Sequence, residues 1–150
     1  MIGLIQRVQH AAVEVDGESI ARIGPGLLAL IGVERGDGST QARRLAERLL
    51  GYRVFADAEG RMNLSVSDIG GALLLVSQFT LAADTRKGMR PSFTPAAAPE
   101  QGRRYFDELV QHVQASGLET GQGRFGADMK VSLLNDGPVT FQLRVPPNPQ

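Results

Sequence analysis

The chain has 150 residues, 42% of them hydrophobic and 21% charged, which suits a single soluble domain with its own core and excludes a disordered chain. It has no cysteine, so disulfides, thiolate nucleophiles and cysteine-ligated metals are excluded. With 16 basic and 16 acidic side chains the net charge is zero, and no global field draws the chain to nucleic acid. Met1 to Arg7 lack the long apolar core of a secretory leader, and no run approaches the length of a membrane span. A cytoplasmic protein without membrane contact is expected.

Ile2, Leu4 and Val8 share one strand parity and Val13 and Val15 the other, so a one-residue bulge near His10 would bring them to one face. Asp16-Gly17 is a two-residue hairpin signal, and Ser19 to Ile23 reads as the returning strand. Gly24-Pro25-Gly26 turns into Leu27 to Val33, an apolar strand. Ser39 or Thr40 can cap a helix that runs to about Leu50 with Gly51 as its stop; Ala42, Leu45, Ala46, Leu49 and Leu50 fall at helical spacing. Tyr52 to Phe55 reads as a short strand, followed by a polar turn at Ala58-Glu59-Gly60.

Gly70-Gly71 leads into the most informative stretch. Ala72 to Val76 is wholly apolar, the pattern of a strand buried on both faces. The strand is expected to continue to Leu81 while turning polar, with Gln78 and Thr80 on the face of Leu74 and Val76, and Ser77 and Phe79 on the other. Polar groups there either stand at the mouth of a pocket or pair with neighbouring backbone. Ala82 to Ala98 is a long irregular segment carrying Arg86, Lys87 and Arg90; loops of that length are more often functional than idle, and its charge suggests an anionic substrate.

Pro99 opens a second helix and Gly117 closes it, with Tyr105, Phe106, Leu109, Val110 and Val113 as the buried stripe and Arg103, Arg104 and Asp107 outside. A strand near Glu119 to Gln122, a glycine-rich connection from Gly123 to Ala127, and two strands, Val131 to Asn135 and Val139 to Val145, complete the order. The tail 146–150 is expected to fray. Two helices cannot cover both faces of so many strands. The expected fold is therefore one α/β domain over residues 1–150, a mixed, barrel-like pair of β-sheets with two helices packed on one outer side.

Familiar catalytic constellations are missing. His10 and His112 are the only histidines, and neither neighbours a suitable serine or aspartate in sequence. No metalloprotease, nucleophile-elbow or phosphate-loop pattern occurs, and neither a metal nor a cofactor is expected. An enzyme of this composition must draw on backbone groups or on its substrate. Asn135-Asp136-Gly137-Pro138-Val139-Thr140 joins two apolar strands, and a hairpin turn accounts for it. Gly-Pro can also adopt cis, at about 0.5–1 kcal/mol, and adjacent carbonyls can then point the same way.

Ser77-Gln78-Phe79-Thr80-Leu81 together with Asn135-Asp136-Gly137-Pro138-Val139-Thr140 resembles the paired signature of the D-aminoacyl-tRNA deacylase family. Ile5-Gln6-Arg7-Val8, Leu50-Gly51-Tyr52-Arg53 and Gly88-Met89-Arg90-Pro91-Ser92-Phe93 are similar as well, so that the resemblance spans residues 1 to 145. It implies a cytoplasmic homodimer, needing no metal, that hydrolyses the ester between a D-amino acid and the 3′-terminal adenosine of tRNA. The implied partner is aminoacyl-tRNA, with no DNA. The Gly-Pro turn of one subunit would enter the pocket of the other, cis in the family and trans in a related subgroup that tolerates L-alanine.

The resemblance implies catalytic roles for Ser77, Gln78, Phe79 and Thr80. Backbone N–H groups around Phe79 and Thr80 are candidates for an oxyanion hole. Thr80 either attacks as a nucleophile or only shapes the pocket while the substrate's 2′-hydroxyl assists a water; no activating base is evident for the first. Gly137 and Pro138, with Asn135 and Arg7, would select chirality, their carbonyls holding the α-amino group so that an L side chain collides. Glycine has nothing to collide, so glycyl-tRNA is an expected substrate. Phe125, Ala127 and Met129 are candidates for an adenine pocket, and core packing explains each of them as well. A non-catalytic RNA-binding or interaction dimer is the alternative, disfavoured by the zero net charge and the absence of tryptophan.

Overall fold

A computed structural model of the chain describes residues 1–149. Ile2–Val15 forms β1, the strand on which the others assemble. Asp16 and Gly17 take φ of 52° and 80°, a turn whose twist suits a tight hairpin, and Glu18–Ile23 returns as β2. Gly26–Gly32 is β3, antiparallel to the first half of β1. Helix α1, Ser39–Gly51, is followed by a two-stranded ribbon of β4, Phe55–Ala56, and β5, Met62–Leu64. A one-turn helix α2, Val66–Ile69, leads to β6, Ala72–Ser77, parallel to β3. Helix α3, Pro99–Gln114, connects to β7, Thr120–Gln122, parallel to β6, and β8, Lys130–Arg144, closes the order. The main sheet runs β2-β1-β3-β6-β7, with β8 along the other side of β1.

The crossovers β3-α1-β6 and β6-α3-β7 step the same way across the sheet. The handedness rule for parallel crossovers then puts both long helices on one face. Leu45, Leu49, Phe106 and Val113 are accordingly buried in one cluster with Ile5, Leu27, Leu73 and Leu75. The opposite face of the strands, with Val8, Val13, Ile23, Leu28, Leu74 and Val76, closes on itself as the barrel interior. The curl is nearly complete: a Cβ on Gly121 of β7 would stand 3.4 Å from the Cβ of Ala21 on β2. The expected mixed, barrel-like α/β architecture with its helices on one outer side is observed.

The bulge in β1 lies where parity demands it. Val8 faces Asn135 and His10 faces Leu134, so Gln9 is the extra residue, and Val8 joins Val13 and Val15 in one cluster. Other expectations need correction. The Ser77–Leu81 stretch does not continue as strand: β6 ends at Ser77, and Phe79–Ala82 winds into a 3₁₀ turn. The reason is the partner strand, since Ser77 pairs Ile31 at the last ladder step before β3 ends at Gly32. Asn135–Thr140 is no hairpin, because both flanking segments pair with the same strand, β1, inside the single strand β8. The small ribbon is formed by Phe55–Ala56 and Met62–Leu64 rather than Tyr52–Phe55, and the short α2 brings the α-helices among the described residues to three.

The tail is tied down over 146–148. Gln41 Nε2 donates to Pro146 O and Asn148 Oδ1, both at 3.1 Å, and Asn148 N donates to Gly36 O at 3.0 Å. Residue 150 lies outside the described residues. Beside that contact the Met1 ammonium donates to Asp37 Oδ1 at 2.8 Å and Glu34 Oε2 at 3.2 Å, clasping the start of β1 to the loop after β3. Burial still pushes the Asp37 carboxyl above its ordinary pKa. Among the described residues no helix is long and apolar enough to cross a membrane.

Candidate active site

The end of β6 builds one wall of the site. Gln78 N still donates to Ile31 O at 2.7 Å, the last bond to β3, before the backbone turns. The turn is closed by Leu81 N to Gln78 O at 3.2 Å and Ala83 N to Thr80 O at 3.1 Å. The N–H groups of Phe79 and Thr80 precede that ladder, and the opening donors of a helical turn have no acceptor within it. Gly32 lets the turn seat against β3: a Cβ there would stand 3.0 Å from Leu81 Cβ and 3.2 Å from Gln78 O. The Gln78 side-chain amide donates to Thr80 Oγ1, so the two polar side chains hold each other.

Opposite this wall stands the glycine-rich connection. Ser77, Gln78 and Phe79 face Phe125, Ala127 and Met129 across a cavity of ≈ 260 Å³. Gly123 makes room for this wall, since a Cβ there would meet Met129 Sδ at 2.7 Å. Ser77, Gln78, Phe79 and Phe125 also border a second, mainly apolar cavity of ≈ 280 Å³ under Pro99, Gly102 and Phe106 of α3. Phe125 thus borders both cavities. Thr80 lies outside both linings and is exposed. The structure brings together two of the three residue groups singled out in the sequence.

The third group, Arg7, Asn135, Gly137 and Pro138, lines neither cavity. Gln6 of β1 faces Thr140 and Val8 faces Asn135, so Asp136 to Val139 loop out opposite Arg7 alone. Arg7 braces the loop: Nε donates to Asp136 O at 3.1 Å, and one terminal nitrogen donates to Val54 O at 2.8 Å. Asn135 bridges its base, with Nδ2 donating to Thr140 Oγ1 at 3.0 Å and Oδ1 accepting from Val139 N at 3.3 Å. The Gly137–Pro138 peptide is cis, Gly137 has φ 127°, and both residues are exposed.

The long loop before α3 is cross-linked by backbone bonds between Asp84 and Ser92 at 2.7 and 2.9 Å. Arg86 donates to both oxygens of Asp84, at 2.9 and 2.8 Å, and these bonds hold the Asp84 carboxyl down at a pKa of about 2. That pair is therefore neutral overall at any ordinary pH, and Lys87 and Arg90 carry the loop's positive charge. Together with Ser92 they surround an open depression of ≈ 670 Å³.

Residues of α3 at the site escape a reading by periodicity. Arg103, on the outer side by spacing, holds its guanidinium 4.9 Å from the centre of the Phe125 ring. The signal was Gly102, a glycine in a helix where alanine is favoured by about 1 kcal/mol; a Cβ there would stand 3.4 Å from Phe125 Cζ.

Comparison with known proteins identifies the family. A family model described as D-Tyr-tRNA(Tyr) deacylase matches residues 4–144. A protein of Methylococcus capsulatus named D-aminoacyl-tRNA deacylase is 66% identical over 148 residues, covering 99% of this chain and 97% of its own. A solved structure titled c-Myc DNA Unwinding Element Binding Protein superposes with a TM-score of 0.92 at 36% identity, covering 97% of this chain and 99% of that one. A probable eukaryotic D-amino acid tRNA deacylase shares the fold at a TM-score of 0.78 and 17% identity, over 95% of this chain and 98% of that one.

Proposed function

The chain belongs to the D-Tyr-tRNA(Tyr) deacylase family, and from that premise we propose that it hydrolyses the ester joining a D-amino acid to the 3′-terminal adenosine of tRNA. The observation that carries this reading is the cavity in which Ser77, Gln78 and Phe79 face Phe125, Ala127 and Met129. Its walls are apolar with few polar groups, as a nucleoside site requires. The terminal adenine packs against Phe125 and Met129, and the ester carbonyl lies at the opening of the 3₁₀ turn.

An aminoacyl ester is already activated. Its hydrolysis needs a positioned water and stabilisation of the tetrahedral oxyanion, which donors fixed in advance supply without reorganisation. The N–H groups of Phe79 and Thr80 take that role, and the substrate's 2′-hydroxyl assists the water. Thr80 acts as a positioning residue through its bond to the Gln78 amide. Thr80→Ala is then expected to lower kcat/KM by no more than about tenfold, the scale of one lost neutral hydrogen bond. A loss near 10⁴-fold or beyond, with folding and substrate binding intact, would make the hydroxyl a nucleophile.

The site is completed by a second copy of the chain. Exposed Gly137 and Pro138, held stiffly by Arg7 and Asn135, enter the partner's cavity and hold the α-amino group, so that an L side chain is driven into protein. Support comes from the apolar surface beside the site, where Phe79 and Phe93, their ring centres 5.2 Å apart, are 59% and 42% exposed. Release of free D-tyrosine from D-tyrosyl-tRNA by the purified protein tests the function. Binding of the tRNA without release would instead leave a non-catalytic RNA-binding dimer.

A further inference from the structure

We propose that Arg103 binds the phosphodiester on the 5′ side of the terminal adenosine, so that the site reads one nucleotide further into the RNA than the ester and its base. The inference rests on the reading of the Phe125–Met129 cavity as the seat of that adenosine. Three observations converge on it. Arg103 stands at the cavity's aromatic wall, its guanidinium 4.9 Å from the Phe125 ring centre. The wall is fixed to the same helix: Phe125 lies against the bare backbone of Gly102, and its ring centre is 6.2 Å from that of Phe106. Arg103 is exposed and makes no ion pair among the described residues, whereas its neighbour Arg104 is engaged with Glu108 at 3.8 Å and lies over Tyr105.

A guanidinium held over a ring uses its π-face and spends none of its five N–H donors. Stacking on Phe125 therefore pre-orients the planar fork and leaves it able to take two oxygens of a phosphate, the geometry that arginine suits and lysine does not. A base seated against Phe125 carries its 5′ phosphodiester one ribose away, at the rim where Arg103 stands. The zero net charge of the chain supplies no diffuse attraction, so a polyanion must be held by local cations. The basic loop does not compete for this phosphate. Its depression is lined by Asp84, Arg86, Lys87, Arg90 and Ser92 and shares no residue with the cavity.

The test compares two esters of one D-amino acid: D-tyrosyl-tRNA, and D-tyrosyl-adenosine, which lacks the phosphate. For Arg103→Gln, the ratio of kcat/KM on tRNA to kcat/KM on the adenosine ester is expected to fall about tenfold, as for a lost charge-assisted bond. The dependence of log kcat/KM on log salt for the tRNA substrate should flatten by about 0.7, the contribution of one single-strand phosphate contact. Arg103→Lys should restore the slope more than the ratio, and Arg104→Gln should leave the ratio where it is. An equal loss on both esters means that Arg103 only steadies Phe125 and overturns the proposal, as does an unchanged ratio; the deacylase reading survives either result. Wild-type protein that cleaves neither ester overturns both.

Discussion

Gly137→Ala is expected to lower kcat/KM for D-tyrosyl-tRNA on the order of 100-fold, the penalty that a displacement near 1 Å carries in a preorganised site. Gly137 has φ 127°, a conformation that L side chains rarely adopt, at about 1–3 kcal/mol when forced. A Cβ there would stand 2.8 Å from Val139 Cγ2 and 2.9 Å from a terminal nitrogen of Arg7. To make room, either the loop shifts or Arg7 moves, and Arg7 is the group bonded to Asp136 O and Val54 O. The loop is exposed and the ladders on both sides of it pair with β1, so the variant should fold with only a modest drop in melting temperature. Steady-state kinetics beside a thermal melt separates the two effects. Near-native turnover would show that the loop's geometry has no part in the reaction.

Gly26→Ala is expected to cost more than about 4 kcal/mol of stability, at the extreme of what single substitutions do. A Cβ on Gly26 would lie 1.8 Å from the carbonyl oxygen of Ala72 and within 2.8 Å of two further backbone atoms of that residue. None of those atoms is a flexible side-chain end. Gly26 pairs with Ala72 at the first step of the parallel β3–β6 ladder, between the helix-covered core and the barrel interior, where neither strand can retreat. For a domain whose whole stability is about 5–15 kcal/mol, most of the native population would be lost near its melting range. Denaturant midpoints report this. Gly24→Ala, two residues earlier with nothing within 4 Å of its Cβ position, should be close to neutral. A native midpoint for Gly26→Ala would mean that β3 and β6 are not paired in this register.

The parts of the fold that local sequence determines were legible, and the parts set by a distant partner were not. Leu45 and Leu49 on α1 and Leu109 and Val113 on α3 repeat at helical spacing, and Asp16-Gly17 names its own turn. Even the bulge at Gln9 follows from the change of parity between Val8 and Val13. The polar end of β6 was misread because Phe79 and Thr80 suit a strand by propensity, while the end of β3 at Gly32 removes the ladder that a strand needs. Asn135-Asp136-Gly137-Pro138 carries turn residues, and only pairing of both flanks to β1 makes it a protrusion within one strand. Pro146 and Asn148 read as a fraying tail because their anchor, Gln41, lies far back in the chain.

The site follows the same division. Ser77, Gln78 and Phe79 and the Phe125–Met129 stretch were legible as motifs, but their apposition depends on β6 and the segment after β7 being neighbours in the sheet. Helical periodicity puts Arg103 on the outer side of α3 and says nothing of which exposed side chain meets an aromatic wall.

Rejection of L-amino acids by collision is tested most directly by initial rates of the purified protein on D-tyrosyl-, glycyl- and L-tyrosyl-tRNA at one high enzyme concentration. Hydrolysis of the D-tyrosyl and glycyl esters with the L-tyrosyl ester spared is the predicted result. Comparable hydrolysis of the L ester, or a glycyl ester left intact while the D ester is cleaved, would contradict it.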